Sequence, residues 1–286
     1  SSPMLRSVQT KALSACRVRH VASKGVPWRP PAPAHLARPW IHAFQPMERA
    51  APWWSPTQRE IAEHVFRAPI AAHPVVVVQT IDRLPELGIP QICVIGHSNV
   101  GKSTLINALV FGKEIARPSK EPGRTRHLFV FDLGQNLSLV DLPGYGFAKV
   151  SAALRRDWHA LIEEYLQRSQ SLRRVVCLVD ASTGVSREDT KFWDLVQGAG
   201  LRLMVVLTKV DLCHPEDLHR NVSEVLAALQ PLDKDLVWPY VHAVSAEHDL
   251  GLRELRASLA VESAIEGPQR RRHRRRQSAS DAWVHV

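Results

Sequence analysis

The chain has no apolar run near the roughly 18 residues that a membrane-crossing helix needs. Val75-Val76-Val77-Val78 is far too short. Its four cysteines, Cys16, Cys93, Cys177 and Cys213, are scattered with no CxxC pair. That excludes a zinc or disulfide framework and fits a reducing compartment. Cys93 and Cys177 lie in apolar runs and read as small buried hydrophobes. No cysteine accompanies the final Trp283-Val284-His285-Val286, which argues against a prenyl anchor. No internal repeat is visible.

Acid is missing from the start of the chain. Residues 1–47 carry seven Lys/Arg and no Asp or Glu. An Arg-rich, Ser/Ala-containing, acid-free segment has the composition of a mitochondrial or plastid transit peptide, with a disordered basic tail as the alternative. Pro27, Pro30, Pro31, Pro33 and Pro39 prevent regular helix, so residues 26–47 read as an extended linker or wrapping arm. The last stretch, 267–286, has six Arg and one Asp. The overall charge of +9 therefore lives in the tails, while residues 48–266 sum to −3. The expected organisation is a basic targeting or arm segment (1–47), an N-terminal extension (48–87), a core domain (88–266) and an arginine-rich tail (267–286).

What is present is a loop of defined chemistry. Gly96-His97-Ser98-Asn99-Val100-Gly101-Lys102-Ser103 follows the apolar run Ile92–Ile95 and precedes the helix-like Thr104-Leu105-Ile106-Asn107-Ala108-Leu109. Strand, loop and helix in that order are the context of a phosphate-binding loop. Its glycines let backbone approach phosphate oxygens, and the helix N-terminus adds N–H donors. Lys102 is placed to reach the β- and γ-phosphates, and Ser103 to ligate Mg²⁺.

The base is addressed further on. Thr208-Lys209-Val210-Asp211 follows the apolar run Leu203–Leu207. A carboxylate at Asp211 can accept from guanine N1–H and the 2-amino group; adenine offers neither, leaving it unpaired. The Lys209 stem can lie along the base. Taken alone, the segment could be a solvated Lys/Asp pair at a strand end. Leu139-Val140-Asp141-Leu142-Pro143-Gly144 ends a strand on a carboxylate suited to Mg²⁺, followed by a glycine whose N–H can sense the γ-phosphate. Thr125, within Pro122-Gly123-Arg124-Thr125-Arg126, is the expected switch threonine over Mg²⁺. Val244-Ser245-Ala246 fits a last guanine-contacting loop.

The elements alternate. A short helix is expected at 57–67, strand 92–95, helix 103–111, and a hairpin of strands 127–133 and 137–141 turning at Gly134-Gln135-Asn136. Helix 152–168 carries the stripe Leu154, Trp158, Leu161, Ile162, Tyr165, Leu166. Then come strand 174–180, helix 187–197, strand 202–207, helix 215–229, strand 237–244 and helix 252–263. This predicts an α/β P-loop fold: a mostly parallel six-stranded sheet with helices on both faces and extended tails. The nucleotide is expected at the carboxyl ends of the strands.

GHSNVGKS, PGRTR, DLPGYGFA, VDAS and TKVD together resemble the EngB (YihA/YsxC) family of TRAFAC GTPases over roughly residues 88–262. The resemblance implies GTP/GDP and Mg²⁺ as ligands, and large-subunit ribosomal RNA, ribosomal proteins or other assembly factors as partners. Three positions depart from the family's habit: His97 stands where Arg is usual, Leu212 where Lys is usual, and Glu247 where a Lys is commoner. Asn99 resembles the P-loop Asn of potassium-activated members, where K⁺ replaces an arginine; a loop-stabilising Asn is the alternative. Lys102, Thr125 and Asn99 are the catalytic candidates. Tyr145 after DLPG is not a water-orienting Gln, and the P-loop holds no arginine finger, so slow intrinsic turnover is expected. Arg124 and Arg126 are candidates for charge stabilisation or for RNA phosphate contact.

The expected function is a GTPase switch in assembly of the large ribosomal subunit, monomeric when free and not membrane-bound. It would act in the mitochondrial matrix, with plastid or cytoplasm as alternatives. Competing readings are a structural rRNA-binding component with dispensable turnover, and a division or traffic GTPase. The run Arg270-Arg271-Arg272-His273-Arg274-Arg275-Arg276 is a candidate RNA contact.

Overall fold

Strict alternation along the apolar runs decides which side of the sheet each residue serves. The computed structural model describes residues 38–45, 54–68, 75–78, 81, 88–116, 127–145 and 152–263. Its strands are β1 (Trp40–His42), β2 (Val75–Val78), β3 (Gln91–Gly96), β4 (Leu128–Asp132), β5 (Ser138–Asp141), β6 (Leu172–Asp180), β7 (Leu203–Thr208) and β8 (Tyr240–Ala243). The helices are α1 (Pro56–Arg67), α2 (Lys102–Leu109), α3 (Ala152–Arg168), α4 (Arg187–Gly198), α5 (Pro215–Leu229) and α6 (Leu252–Ala260).

Cys93 and Ile95 of β3, Val175, Cys177 and Val179 of β6, and Val205 and Leu207 of β7 face one cluster. That cluster also holds Tyr165 of α3, Trp193 of α4 and Val225 of α5. Their neighbours Ile92, Val94, Val176, Leu178, Met204 and Val206 face the other, with Phe66 of α1, Leu105 of α2 and Leu255 of α6. A strand covered on both faces has no polar side, which is why these runs are continuously apolar.

The sheet order is β1-β8-β7-β6-β3-β5-β4-β2. Strands β5, β3, β6, β7 and β8 run parallel, and β4 is antiparallel to β5. All six expected strands are present, and among the described residues the sheet has eight rather than six. Val75–Val78 adds antiparallel to β4, and Trp40–His42, inside the proline-marked arm, adds antiparallel to β8. Three consecutive residues give too short a pattern to announce a strand in sequence; pairing partners make it.

Helix starts follow local chemistry. Ser55 and Gln58 form a capping box on α1, and Ser186 and Asp189 form one on α4. The β4–β5 turn places Gly134 and Gln135 at φ 64° and 61°, the left-handed geometry that a tight hairpin demands. On α3 the expected stripe from Trp158 to Leu166 is buried, while the side chain of Leu154 lies outside the described residues. The expected strand 237–244 is interrupted. Val237 makes a lone bridge to Leu203, and Pro239, which cannot donate to a ladder, separates it from β8. No helix among the described residues is long and apolar enough to cross a membrane.

Candidate nucleotide site

The site is built where β3, β5, β7 and β8 end. Gly96 closes β3 so tightly against β6 that an added Cβ would stand 2.6 Å from the Leu178 carbonyl oxygen. The loop then turns through Asn99 at φ 63° and Gly101 at φ 99°. Gly101 caps α2 with no side-chain hydrogen bond, leaving the first-turn N–H groups for an anion. Ser98 N–H donates to the Tyr145 carbonyl (3.0 Å) and Tyr145 N–H to the Gly96 carbonyl (3.3 Å). The loop after β5 is thereby stitched to the phosphate loop from both sides.

Gly144 sits in that seam. A Cβ on it would lie 2.9 Å from Lys102 Nζ and 3.0 Å from the Gly96 oxygen, so a side chain there would push the lysine ammonium away and crowd the phosphate loop. Burial lowers the Lys102 pKa, and Asp141 opposes that shift. Burial raises Asp141 to about 6, with Lys102 opposing. Asp141 Oδ1 is buried and has no hydrogen-bond partner among the described residues. A buried carboxylate oxygen left without a hydrogen-bond partner fits a divalent cation. Ser103, one residue into α2, is the second group that could hold it. Gly123, Arg124 and Thr125 lie outside the described residues, as do residues 1–37 and 264–286.

The base side is equally connected. Lys209, itself at φ 55°, donates from Nζ to the Asn99 carbonyl (2.6 Å) and to Asp180 Oδ2 (2.7 Å). Thr208 Oγ1 donates to the Val100 carbonyl (2.7 Å). Val210 N–H donates to the Val244 carbonyl (3.3 Å), and Ser245 and Leu250 exchange backbone bonds of 3.1 and 3.0 Å. These bonds fix Ser245-Ala246 beside Asp211. A cavity of about 230 Å³ opens among Gly101, Thr104, Lys209, Asp211, Leu212 and Ala246. Asp211 Oδ2 stands 3.6 Å from His248 Nδ1, which in turn lies 3.1 Å from Ser245 Oγ. Leu212, 69% exposed, stands at the rim.

The fold brings the phosphate loop, Asp141-Leu142-Pro143-Gly144, Thr208-Lys209-Val210-Asp211 and Val244-Ser245-Ala246 to the same end of the sheet. Asn99 serves through its backbone: its left-handed conformation and its carbonyl shape the loop. Sequence reading missed Asp180. Burial alone would raise its pKa, but hydrogen bonds from Lys209 and Ser182 outweigh that and hold it below the usual carboxylate value. Its signals were its place in the VDAS segment, to which no role was given, and a carboxylate ending an apolar strand, as at Asp141. Also missed were the inward role of Tyr145, whose hydroxyl donates to Asp189 Oδ1 (2.6 Å), and the position of His248.

A protein-family model described as "50S ribosome-binding GTPase" matches residues 91–209. The chain is 41% identical over 182 residues to "Probable GTP-binding protein EngB" of Gluconobacter oxydans, covering 64% of this chain and 79% of that one. The protein of the same name from Hyphomonas neptunium is 43% identical over 187 residues, covering 64% and 84%. A crystal structure of a probable GTP-binding protein engB superposes with a TM-score of 0.46 at 21% identity, over 60% of this chain and 98% of that one.

Proposed function

The chain belongs to the EngB family of GTP-binding proteins, and we propose from that premise that this GTPase is a switch acting in assembly of the large ribosomal subunit. The observation that carries the reading is the double tie of Lys209 to Asn99 and Asp180. It joins a phosphate loop to a guanine-reading loop in one rigid site. The description of the matching family model supports a ribosomal partner.

In this reading Lys102 and the α2 N-terminus grip the β- and γ-phosphates. Asp141 and Ser103 hold Mg²⁺, which neutralises charge on the phosphate oxygens when bound. Asp211 accepts from guanine, and the Lys209 stem packs along the base. The Tyr145 hydroxyl is committed to Asp189 and cannot orient a water, so turnover waits on a partner. A monovalent cation near Asn99 and an RNA contact by the terminal arginines belong to the same proposal, as does the mitochondrial matrix as its compartment.

Co-sedimentation tests it. Full-length protein loaded with a non-hydrolysable GTP analogue should co-migrate with large-subunit particles and leave them with GDP. Equal association in both states would instead favour a structural RNA-binding role.

A further inference from the structure

Asp189 lies on α4, two elements away from the loop that carries Gly144, yet its carboxylate reaches that loop. Its Oδ2 accepts from Ser186 N–H (2.7 Å) and Ser186 Oγ (2.6 Å), completing the α4 capping box. Its Oδ1 accepts from Tyr145 Oη at 2.6 Å. The Tyr145 ring stacks on Phe192 of α4, with centroids 5.5 Å apart and planes 27° apart. Asp189 is 3% exposed and Tyr145 8%. A capping box needs one carboxylate oxygen; the second is spent on a residue 44 positions earlier in the chain.

That second bond fixes more than a side chain. Tyr145 directly follows Gly144, and its N–H and carbonyl both bond the phosphate loop. Gly144 is thus held flush against Lys102 and Gly96 from the main-chain side, and against α4 through the Tyr145 ring and hydroxyl.

We propose that Asp189 is a positioning residue of the nucleotide site: through the Tyr145 hydroxyl it holds Gly144 in place to meet a γ-phosphate. The proposal rests on the GTP site described above. Its physical content is preorganisation. A loop already pinned loses little freedom when the third phosphate arrives, so affinity for the triphosphate is not offset by ordering. A diphosphate has no group at Gly144 and gains nothing from the pin. The bond between Tyr145 and Asp189 therefore sets the ratio of triphosphate to diphosphate affinity, not nucleotide affinity as such.

The test is titration of full-length protein with GTPγS and with GDP in Mg²⁺. Tyr145→Phe keeps the ring and removes the hydroxyl. It should weaken GTPγS about three- to tenfold while GDP stays within about twofold, the range that one buried hydrogen bond supplies. Asp189→Ala should do the same. Asp189→Asn should restore the wild-type ratio, because its amide oxygen still accepts from Tyr145 although it no longer completes the cap. Val196→Ala removes buried packing of α4 without touching the Asp189 carboxylate; it should lower the melting temperature and leave the ratio unmoved. An unchanged ratio in folded Tyr145→Phe would overturn the proposal. So would an equal shift in Val196→Ala, which would make the effect one of helix stability. Wild-type protein that binds neither nucleotide would overturn the GTP reading itself, a different result from an unmoved ratio.

Discussion

Lys209 reaches across 110 residues of sequence to the carbonyl of Asn99, and its Nζ lies 2.6 Å from that oxygen. The same ammonium is held by Asp180 at 2.7 Å. Phosphate recognition and base recognition therefore share one side chain, and damage to it should not be confined to the base. Lys209→Met keeps an apolar stem but loses both bonds. It should weaken GTP and GDP alike by about ten- to a hundredfold, as loss of charge-assisted hydrogen bonds predicts. Isothermal titration with each nucleotide checks this; a loss confined to the guanine contact, seen as relaxed base preference at full affinity, would contradict it.

Asp211 lines the cavity with Ala246, its carboxylate 3.6 Å from His248 Nδ1. Exchange of that carboxylate for an amide inverts one hydrogen bond. Asp211→Asn should lose GTP affinity and gain xanthosine triphosphate, whose 2-oxo group accepts from the amide. The change in preference should exceed about tenfold, because a mismatched buried polar pair is left unpaired. Competition between GTP, XTP and ATP measures it, and persistent GTP preference would remove Asp211 from the base site.

The orphaned carboxylate of Asp141 makes a pH prediction. Its folded pKa, about 6, lies above the ordinary 3.8. The native state therefore holds the proton more tightly than the unfolded chain does. The contribution of this group to stability is fully present below about pH 4 and lost as pH rises through about 6. Above that, the ionised group is a liability on the order of 2–3 kcal/mol in protein without metal or nucleotide. Asp141→Asn should match wild-type stability near pH 4 and exceed it near pH 7.5, and it should lose Mg²⁺-dependent nucleotide affinity. Paired melting curves across pH test the sign. A gap that shrinks with rising pH would refute it.

A potassium requirement can be separated from loop geometry at Asn99. Because its φ is 63°, Asn99→Ala would add strain of about 1 kcal/mol and confuse the result. Asn99→Gly keeps the left-handed turn and removes only the side-chain oxygen. If that oxygen ligates K⁺, wild-type GTP hydrolysis should be faster in KCl than in NaCl at equal ionic strength, and the glycine variant should show no difference. Identical rates in both salts with a ribosomal partner present would end the idea.

The terminal arginines predict a salt effect. Residues 267–286 carry six Arg and one Asp, whereas residues 48–266 sum to −3. Truncation after Gly267 should weaken RNA binding and flatten its dependence on salt, because fewer counterions are released. GTP affinity should not move. Coincident slopes for full-length and truncated protein would assign RNA contact to other parts of the chain.

The site was legible in sequence because its parts are contiguous words: the glycine loop, DLPG and TKVD each hold a strand end and a ligand within a few residues. The central strands were legible because burial on two faces makes them uninterruptedly apolar. The relationships between words were not. Nothing near Asp180 announces that it will face Lys209, and nothing near Asp189 separates a helix cap from a tether for Tyr145. Both are pairings at long sequence separation, created when β6 and α4 pack beside the phosphate loop. β1 escaped for a related reason: Trp40-Ile41-His42 has strand character only once β8 offers it an edge.

That edge constrains how the chain can be trimmed. Pro39 O accepts the Ala243 N–H, Ala43 N–H donates to the Pro239 carbonyl, and the Ala43 carbonyl takes a bond from Gln230. Trp40 is buried between Trp54 and Tyr240. A protease that removed this strand would uncover the amide row of β8 immediately before Val244-Ser245-Ala246, and a bare strand edge invites pairing with another chain. N-terminal trimming therefore has a boundary: a cut before Arg38 leaves β1 paired to β8, while one beyond His42 yields a molecule prone to self-association with its base-reading loop unsupported. Recombinant forms that begin at the G domain proper would carry the same defect.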